Sequence, residues 1–147
     1  MRHNLSIEEL GDLLMLPIVS TLATYRRDGT VLLSPVWHEW DGSGFVVTAG
    51  ANDVKVRHVR RDPRASLVVY DQQPPYRGLE LRGRAVLWAR ADYRAIERRI
   101  AVRYLGEPAG NAYADASESG VVLRIDRANA ELRTWDFADD PTTGRIG

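Results

Sequence analysis

Apolar and polar side chains alternate most cleanly between Arg77 and Ala89. Leu79, Leu81, Gly83, Ala85 and Leu87 fall on one face; Glu80, Arg82, Arg84, Val86 and Trp88 take the other. A period of two marks a half-buried strand. Gly83 within it suits a sharp bend or a close backbone approach, as at a barrel corner. Shorter runs of the same kind precede it. Ile18 to Tyr25 reads as a strand, Arg26-Arg27-Asp28-Gly29 as a hairpin turn, and Val31 to Trp40 as the returning strand. Asp-Gly supplies the positive φ angles that such turns require. Asp41-Gly42-Ser43-Gly44 is a second turn and Phe45-Val46-Val47-Thr48 a third strand, so the first three strands are expected to form an antiparallel meander. Ala65 to Tyr70 is apolar almost throughout and reads as a central strand. Val121 to Ile125 and Glu131 to Trp135 complete about seven strands.

Helical periods interrupt this pattern. Ser6 and Glu9 form a capping box, which predicts a short helix ending near Met15, with Pro17 preventing its continuation. Asn52 or Asp53 can cap a helix running to about Arg61, where Asp62-Pro63 ends it, because the residue before proline avoids helical angles. Asp92 caps a helix to about Leu105, with Ile96, Ile100 and Tyr104 on one face and Gly106 and Pro108 as the stop. Asn111 to Gly120 is small and polar and reads as a loop with at most one helical turn. The chain from Asp139 is expected to fray. Many antiparallel strands with few helices predict a mainly β fold, a closed or nearly closed barrel, as one domain over residues 1–147.

Composition narrows the function classes. Lys plus Arg is 20 and Asp plus Glu is 20, so the formal net charge is zero, without the basic excess usual in nucleic-acid binders. With no cysteine, disulfides, thiolate catalysis and cysteine-ligated metal sites are excluded. No apolar run approaches the ~20 residues needed to cross a bilayer, and no apolar core follows Arg2 as in a signal peptide. A soluble cytoplasmic protein is expected.

The chemistry-bearing motifs are few. No GxGxxG follows a strand and no P-loop is present. His3, His38 and His58 are far apart in sequence, so no metal site is predicted. His38 fits a hydrogen-bonded strand histidine better than a catalytic one, and solvation explains Glu39 and Asp41. Any difficult step would then fall to a bound cofactor. Lys55 is the single lysine against nineteen arginines. It lies where a strand passes through a turn into a helix, with Thr48 before it and Arg57 after it. A hydroxyl, exposed backbone N–H groups and two cations suit an anion such as a cofactor phosphate. The same residues also fit a solvated surface turn.

Taken together, the strand pattern and this anion site resemble the pyridoxamine 5'-phosphate oxidase-like split β-barrel family, in its deazaflavin (F420)-dependent branch. The likeness is carried by Lys55-Val56-Arg57-His58-Val59-Arg60-Arg61-Asp62-Pro63-Arg64-Ala65-Ser66-Leu67. Leu22-Ala23-Thr24 leading to Asp28-Gly29, Ser34-Pro35-Val36-Trp37 and Arg82-Gly83-Arg84-Ala85 add to it. The resemblance implies a homodimer with two cofactor sites at the subunit interface. It implies that Lys55 and Arg57, helped by Thr48, bind the cofactor phosphate. Ser34, Pro35, Val36 and Trp37 would line the ring system, and Trp135 would approach from the partner subunit. Core or dimer packing explains Trp37 about as well. Arg60, Arg61 and Arg64 read as solvated charges or partners of Asp62. Tyr76 and Arg77 flank a loop that could cover a substrate pocket. The implied activity is hydride transfer between reduced F420 and an unsaturated or conjugated acceptor, with no catalytic acid assigned. FMN also carries one phosphate, so an FMN-binding oxidase or flavin reductase is the alternative. His38 stands where an aromatic is expected in this branch, and it keeps a haem-binding or carrier reading open.

Overall fold

The computed structural model describes residues 1–138; the tail expected to fray from Asp139 lies outside the described residues. Its elements in chain order are β1 (Arg2–His3), β2 (Ser20–Tyr25), β3 (Val31–Val36), β4 (Glu39–Trp40) and β5 (Gly44–Gly50). There follow α1 (Val54–Arg61), β6 (Arg64–Tyr70), β7 (Gly78–Leu87), α2 (Tyr93–Leu105), α3 (Ala109–Ala116), β8 (Gly120–Asp126) and β9 (Glu131–Asp136). The strands join in one sheet in the order β3-β2-β6-β7-β8-β5-β4, with β9 also on β7 and β1 on β9. The pairings are antiparallel, and the sheet curls into a split β-barrel.

The corner forms at Gly83. β7 pairs with β6 along one edge, while its other edge meets β9 up to Arg82 and β8 from Ala85 onward. A Cβ on Gly83 would lie 2.9 Å from the Ala130 side chain in the β8–β9 connection, so the absence of a side chain allows the hairpin to cross there. The face predicted from alternation is the buried one, with Leu79, Leu81 and Ala85 at 1% exposure or less. They share one core with Leu22, Leu67, Val69, Phe45, Val47, Leu123 and Ile125. Each large apolar side chain buried this way contributes about 1.5–3 kcal/mol.

Three expectations change. The first three strands do not form a meander. β3 pairs with β2, then the chain breaks at Trp37-His38, and the short β4 pairs with β5 at the far end of the sheet. The N-terminal segment is two 3-10 turns, Glu8–Leu10 and Leu13–Met15, rather than one α-helix. Both capping-box bonds form, Ser6 N–H to Glu9 Oε2 at 2.6 Å and Glu9 N–H to Ser6 Oγ at 3.2 Å. Gly11, at φ 62° and ψ −125°, then stops the helix. The turns drop Leu10, Leu13 and Leu14 into the barrel core. Third, Ala109–Ala116 is a full helix. In the Asp28-Gly29 turn only Gly29 takes a positive φ, while Asp28 Oδ1 accepts from the Thr30 backbone N–H at 2.9 Å.

Candidate functional site

β5 builds two interiors at once. Its odd residues Phe45, Val47 and Ala49 enter the barrel core, and Val46 packs on the other face with Ile96 and Ile100 of α2 and Val122 of β8. Thr48 lies two residues beyond Val46 and opposite Val122 in the β5–β8 register, so it shares the face covered by α2. Between that face and the helices is a cavity of about 470 Å³, within the size range of cofactor and small-molecule sites.

Val19, just before β2, and four further stretches of chain line the cavity. Pro35, Val36 and Trp37 come from the end of β3 and the break after it; Thr48, Ala49 and Gly50 come from the end of β5. Asp53 and Lys55 come from the start of α1, and Tyr93, Glu97, Ile100 and Tyr113 from α2 and α3. The Trp37 ring stacks on Tyr104, with centroids 5.1 Å apart and planes 11° apart, and Tyr113 tilts against it at 5.2 Å. The aromatic wall is thus fixed from α2 and α3. Gly110 allows α3 to come close: a Cβ there would lie 2.5 Å from the Val102 Cα of α2.

At the α1 end, Asp53 is the N-cap, accepting from the Lys55 backbone N–H at 3.1 Å. Its other oxygen accepts from Lys55 Nζ at 2.7 Å. Burial alone would raise the Asp53 carboxyl, but the Lys55 contacts, with further help from the Arg57 charge, hold it below the usual carboxylate range. An anion entering here therefore meets a cation that already has a partner. Lys55 is not a free surface charge, for its side chain is 15% exposed.

Five of the sequence-predicted site residues, Pro35, Val36, Trp37, Thr48 and Lys55, come together in this cavity. Ser34 lies just before it in β3, opposite Leu22. Arg57 lines a neighbouring cavity of about 410 Å³ with Arg26, Arg27, Val54, His58 and Arg61. No carboxylate of the described residues lies within ion-pair distance of Arg57. His58 is held below the usual imidazole pKa by burial and then by the charges of Arg61, Arg26 and Arg57. Trp135 lies against Gly78, where a Cβ would meet its ring at 2.1 Å, and it lines a third cavity with Tyr70, Tyr76 and Phe137. Arg77 is tied down, donating to the Leu10 carbonyl, Asp12 and Asp71.

His38 is structural. It is fully buried, its Nδ1 within 2.9 Å of Ser20 Oγ and 3.1 Å of Tyr104 Oη, and its Nε2 3.4 Å from the Leu14 carbonyl. Burial and the Arg103 charge lower its pKa to about 4, so the ring is neutral near pH 7. Both ring nitrogens are engaged, which leaves neither for a haem iron. Solvation does not account for Glu39 and Asp41 either. Glu39 takes two bonds from Arg99, at 2.5 and 2.7 Å, and Asp41 pairs with Arg124. Arg64 pairs with Asp62 at 2.7 Å.

Sequence reasoning missed Glu97. It is a carboxylate 8% exposed in the cavity wall, and its Oε2 has no hydrogen-bond partner among the described residues. Its signal was a charged residue on a helix line otherwise carried by Tyr93, Ile100 and Tyr104. Among the described residues no group of three His, Asp or Glu could hold a metal ion, and no helix is long and apolar enough to cross a membrane.

Comparison with known proteins agrees with the fold. A conserved hypothetical protein from Mycobacterium tuberculosis superposes with a TM-score of 0.71 at 26% identity, over 90% of this chain and 86% of that one. A structure named F420 reductase gives 0.63 at 29% identity, over 82% and 94%. A FAD- and heme-binding protein from Mycobacterium smegmatis gives 0.69 at 18% identity, over 98% and 78%, a likeness of fold alone. No curated protein matches the sequence significantly. The family model for pyridoxamine 5'-phosphate oxidase matches residues 7–133. That span carries every strand from β2 to β8 and the whole cavity wall, and the chain accordingly belongs to the pyridoxamine 5'-phosphate oxidase family.

Proposed function

We propose that this chain is an F420-dependent oxidoreductase, acting as a homodimer with a cofactor site in each cavity beside β5. The observation that carries the reading is the convergence of Pro35, Val36 and Trp37 with Thr48 and Lys55 on one cavity of cofactor size. The 29% identity to an F420 reductase, over 94% of that chain, favours the deazaflavin. Bound there, the cofactor supplies the hydride chemistry, exchanging a hydride with an unsaturated or conjugated organic acceptor.

The protein's contribution is binding and placement. Thr48 offers a hydroxyl and Lys55 an ammonium to the phosphate, while Arg57 adds a second cation whose charge already reaches Asp53. Charge-assisted bonds of this kind are about twice as strong as neutral ones. Lys55 exchanges Asp53 for the phosphate, and Asp53 keeps its bond to the Lys55 backbone N–H. Trp37, held between Tyr104 and Tyr113, presents an apolar wall to the ring system with Pro35 and Val36. Ser34, one residue upstream, would reach the ring through its backbone, and Trp135 would reach the site of the second copy. Holding two reactants in a reactive geometry accounts for up to ~7–11 kcal/mol of a barrier in well-oriented cases.

The test is a pair of absorbance titrations, with F420 and with FMN, followed by oxidation of reduced F420 in the presence of quinone, enone and tetrapyrrole acceptors. F420 binding and acceptor-dependent oxidation are expected. Tight FMN binding with F420 ignored would overturn the reading in favour of an FMN enzyme. Binding of F420 without transfer to any acceptor would make the protein a carrier.

A further inference from the structure

The cavity holds a carboxylate that the phosphate reading does not use. Glu97 lies on α2 one turn after Tyr93, and both side chains line the cavity. The residue is 8% exposed, and its Oε2 is shut off from solvent without a hydrogen-bond donor. Buried polar atoms are nearly always paired, and one left unpaired is costly. Nearby protein groups do not remove the deficit. Lys55, the lysine of the cavity wall, is engaged by Asp53 at 2.7 Å. Tyr93 is the neighbouring hydroxyl, held above the usual phenol pKa by burial first and then by its interaction with Glu97. It can satisfy one oxygen and leaves the other.

The placement of Glu97 narrows what could complete it. Tyr93, Glu97, Ile100 and Tyr104 follow one line of α2, and Ile100 packs on the sheet face that carries Val46 and Val122. Thr48 lies on that same face, directly opposite Val122. Glu97 and Thr48 therefore face one gap, with the anion-binding turn at its end and the Trp37 wall at its side. The terminal torsion of a glutamate is broad and roughly two-fold, so a small rotation presents either oxygen to that gap. A carboxylate only accepts hydrogen bonds. It repels a second anion and rewards an O–H group.

We infer that Glu97 is a specificity-determining residue that accepts a hydrogen bond from a hydroxyl of the cofactor's polyol chain, the segment joining the ring system to the phosphate. This rests on the cofactor reading above and adds to it. Lys55 and Thr48 read the charged end, the aromatic wall takes the ring, and Glu97 reads the neutral, donor-rich connector. An anionic ligand without such donors is disfavoured by the same carboxylate, so Glu97 sets which phosphorylated molecules the cavity accepts.

The experiment separates the three parts of the ligand. Dissociation constants are measured for F420, FMN, their phosphate-free forms that keep the ribityl chain, and lumiflavin, which has neither chain nor phosphate. The proteins are wild type, Glu97→Gln, Glu97→Leu and Lys55→Ala. Glu97→Leu is expected to weaken every ribityl-bearing ligand that the wild type binds by about 10-fold or more, the range for a hydrogen bond to a charged group. Lumiflavin binding should be unchanged or tighter. Glu97→Gln keeps an acceptor and should recover most of the loss, and Glu97→Ala, which also lacks an acceptor, takes the place of the leucine variant if that one does not fold. An equal loss for lumiflavin and riboflavin would mean that Glu97 only shapes the wall, and unchanged constants for the ribityl ligands would mean that it reads nothing; either result overturns the inference. Lys55→Ala distinguishes this from failure of the cofactor reading. Loss confined to the phosphorylated ligands keeps that reading whatever Glu97 does, and a wild type that binds none of the five ligands ends both.

Discussion

Replacing Lys55 with alanine removes the single lysine of the chain, and the structure bounds what that should cost. A hydrogen bond to a charged group contributes about 1.5–3 kcal/mol. The wild-type lysine must first give up Asp53, at 2.7 Å, and both side chains are partly exposed. A pair of that kind is worth about 0–1 kcal/mol. The difference leaves ~0.5–3 kcal/mol for the phosphate, a two- to 150-fold weakening of F420 binding. Asp53→Ser supplies the converse. Serine still caps α1 while releasing the lysine, and affinity should rise by up to about fivefold. Fluorescence titration in low and moderate salt reads both effects, and salt should narrow the gap between wild type and Lys55→Ala. The fold should persist, because among the described residues the Lys55 side chain bonds only to Asp53 and alanine favours the helix. The midpoint of thermal unfolding should move by only a few degrees. An unchanged dissociation constant for F420 in Lys55→Ala, with the phosphate-free chromophore as control, would refute the placement of the anion.

Acid stability should depend on His38. Its folded pKa of about 4 lies below the ordinary imidazole value of 6.5, so the unfolded chain binds the proton more readily between those values. The stability it confers is present above about pH 6.5 and lost as pH falls toward 4; by pH 5 the loss is about 2 kcal/mol. Urea unfolding at pH 7 and pH 5 should show that much less acid sensitivity in His38→Gln than in wild type, and parallel losses would refute the assignment. Gly110→Ala would drive a Cβ to 2.5 Å from the α2 backbone, costing about 1–3 kcal/mol. Because α3 carries Tyr113 into the cavity, chemical denaturation should show the loss and ligand titration a weaker site; intact binding in the variant would uncouple α3 from the cavity.

What was legible in the sequence was local. Asp53 and Asp92 cap the helices expected of them. The alternation through β7 named its buried face, and Gly83 marked the corner, since each signal depends on neighbours in the chain. The break at Trp37-His38 was not legible. It is held by remote groups: Tyr104 Oη accepts from the His38 backbone N–H at 3.1 Å, and Arg103 reaches the His38 carbonyl. The α3 helix was missed for a similar reason. Its sequence AGNAYADA has no strong propensity, and the close approach of Gly110 to α2 is a tertiary fact. Glu97 looked like one charge among many on α2. Its burial becomes visible only when α2 lies on β5 and β8 and the Trp37 wall closes the side.

The turn that carries Asp53 and Lys55 cannot be separated from the barrel, and this limits how the cavity can vary. β5 sends Phe45, Val47 and Ala49 into the core and leaves Val46 and Thr48 to α2 and the cavity. Because strand side chains alternate strictly, a slip of one residue against β8 would exchange the two sets. Thr48 would enter an apolar core while Val47 replaced a hydroxyl in the site. The seven-residue register from Gly44↔Asp126 to Gly50↔Gly120 resists that slip at both ends. A Cβ on Gly44 would lie 2.6 Å from the Ile125 carbonyl, and one on Gly120 2.3 Å from the Ala49 carbonyl. Those two glycines therefore fix where the strand stops, and the chain that leaves it at Gly50 reaches Asp53 and Lys55 in a single turn closed by the Asp53 N–H to the Gly50 carbonyl at 3.0 Å. The placement of the cation is thus a consequence of core packing, and substitutions that loosen β5 against β8 should weaken ligand binding before any residue touching the ligand is changed.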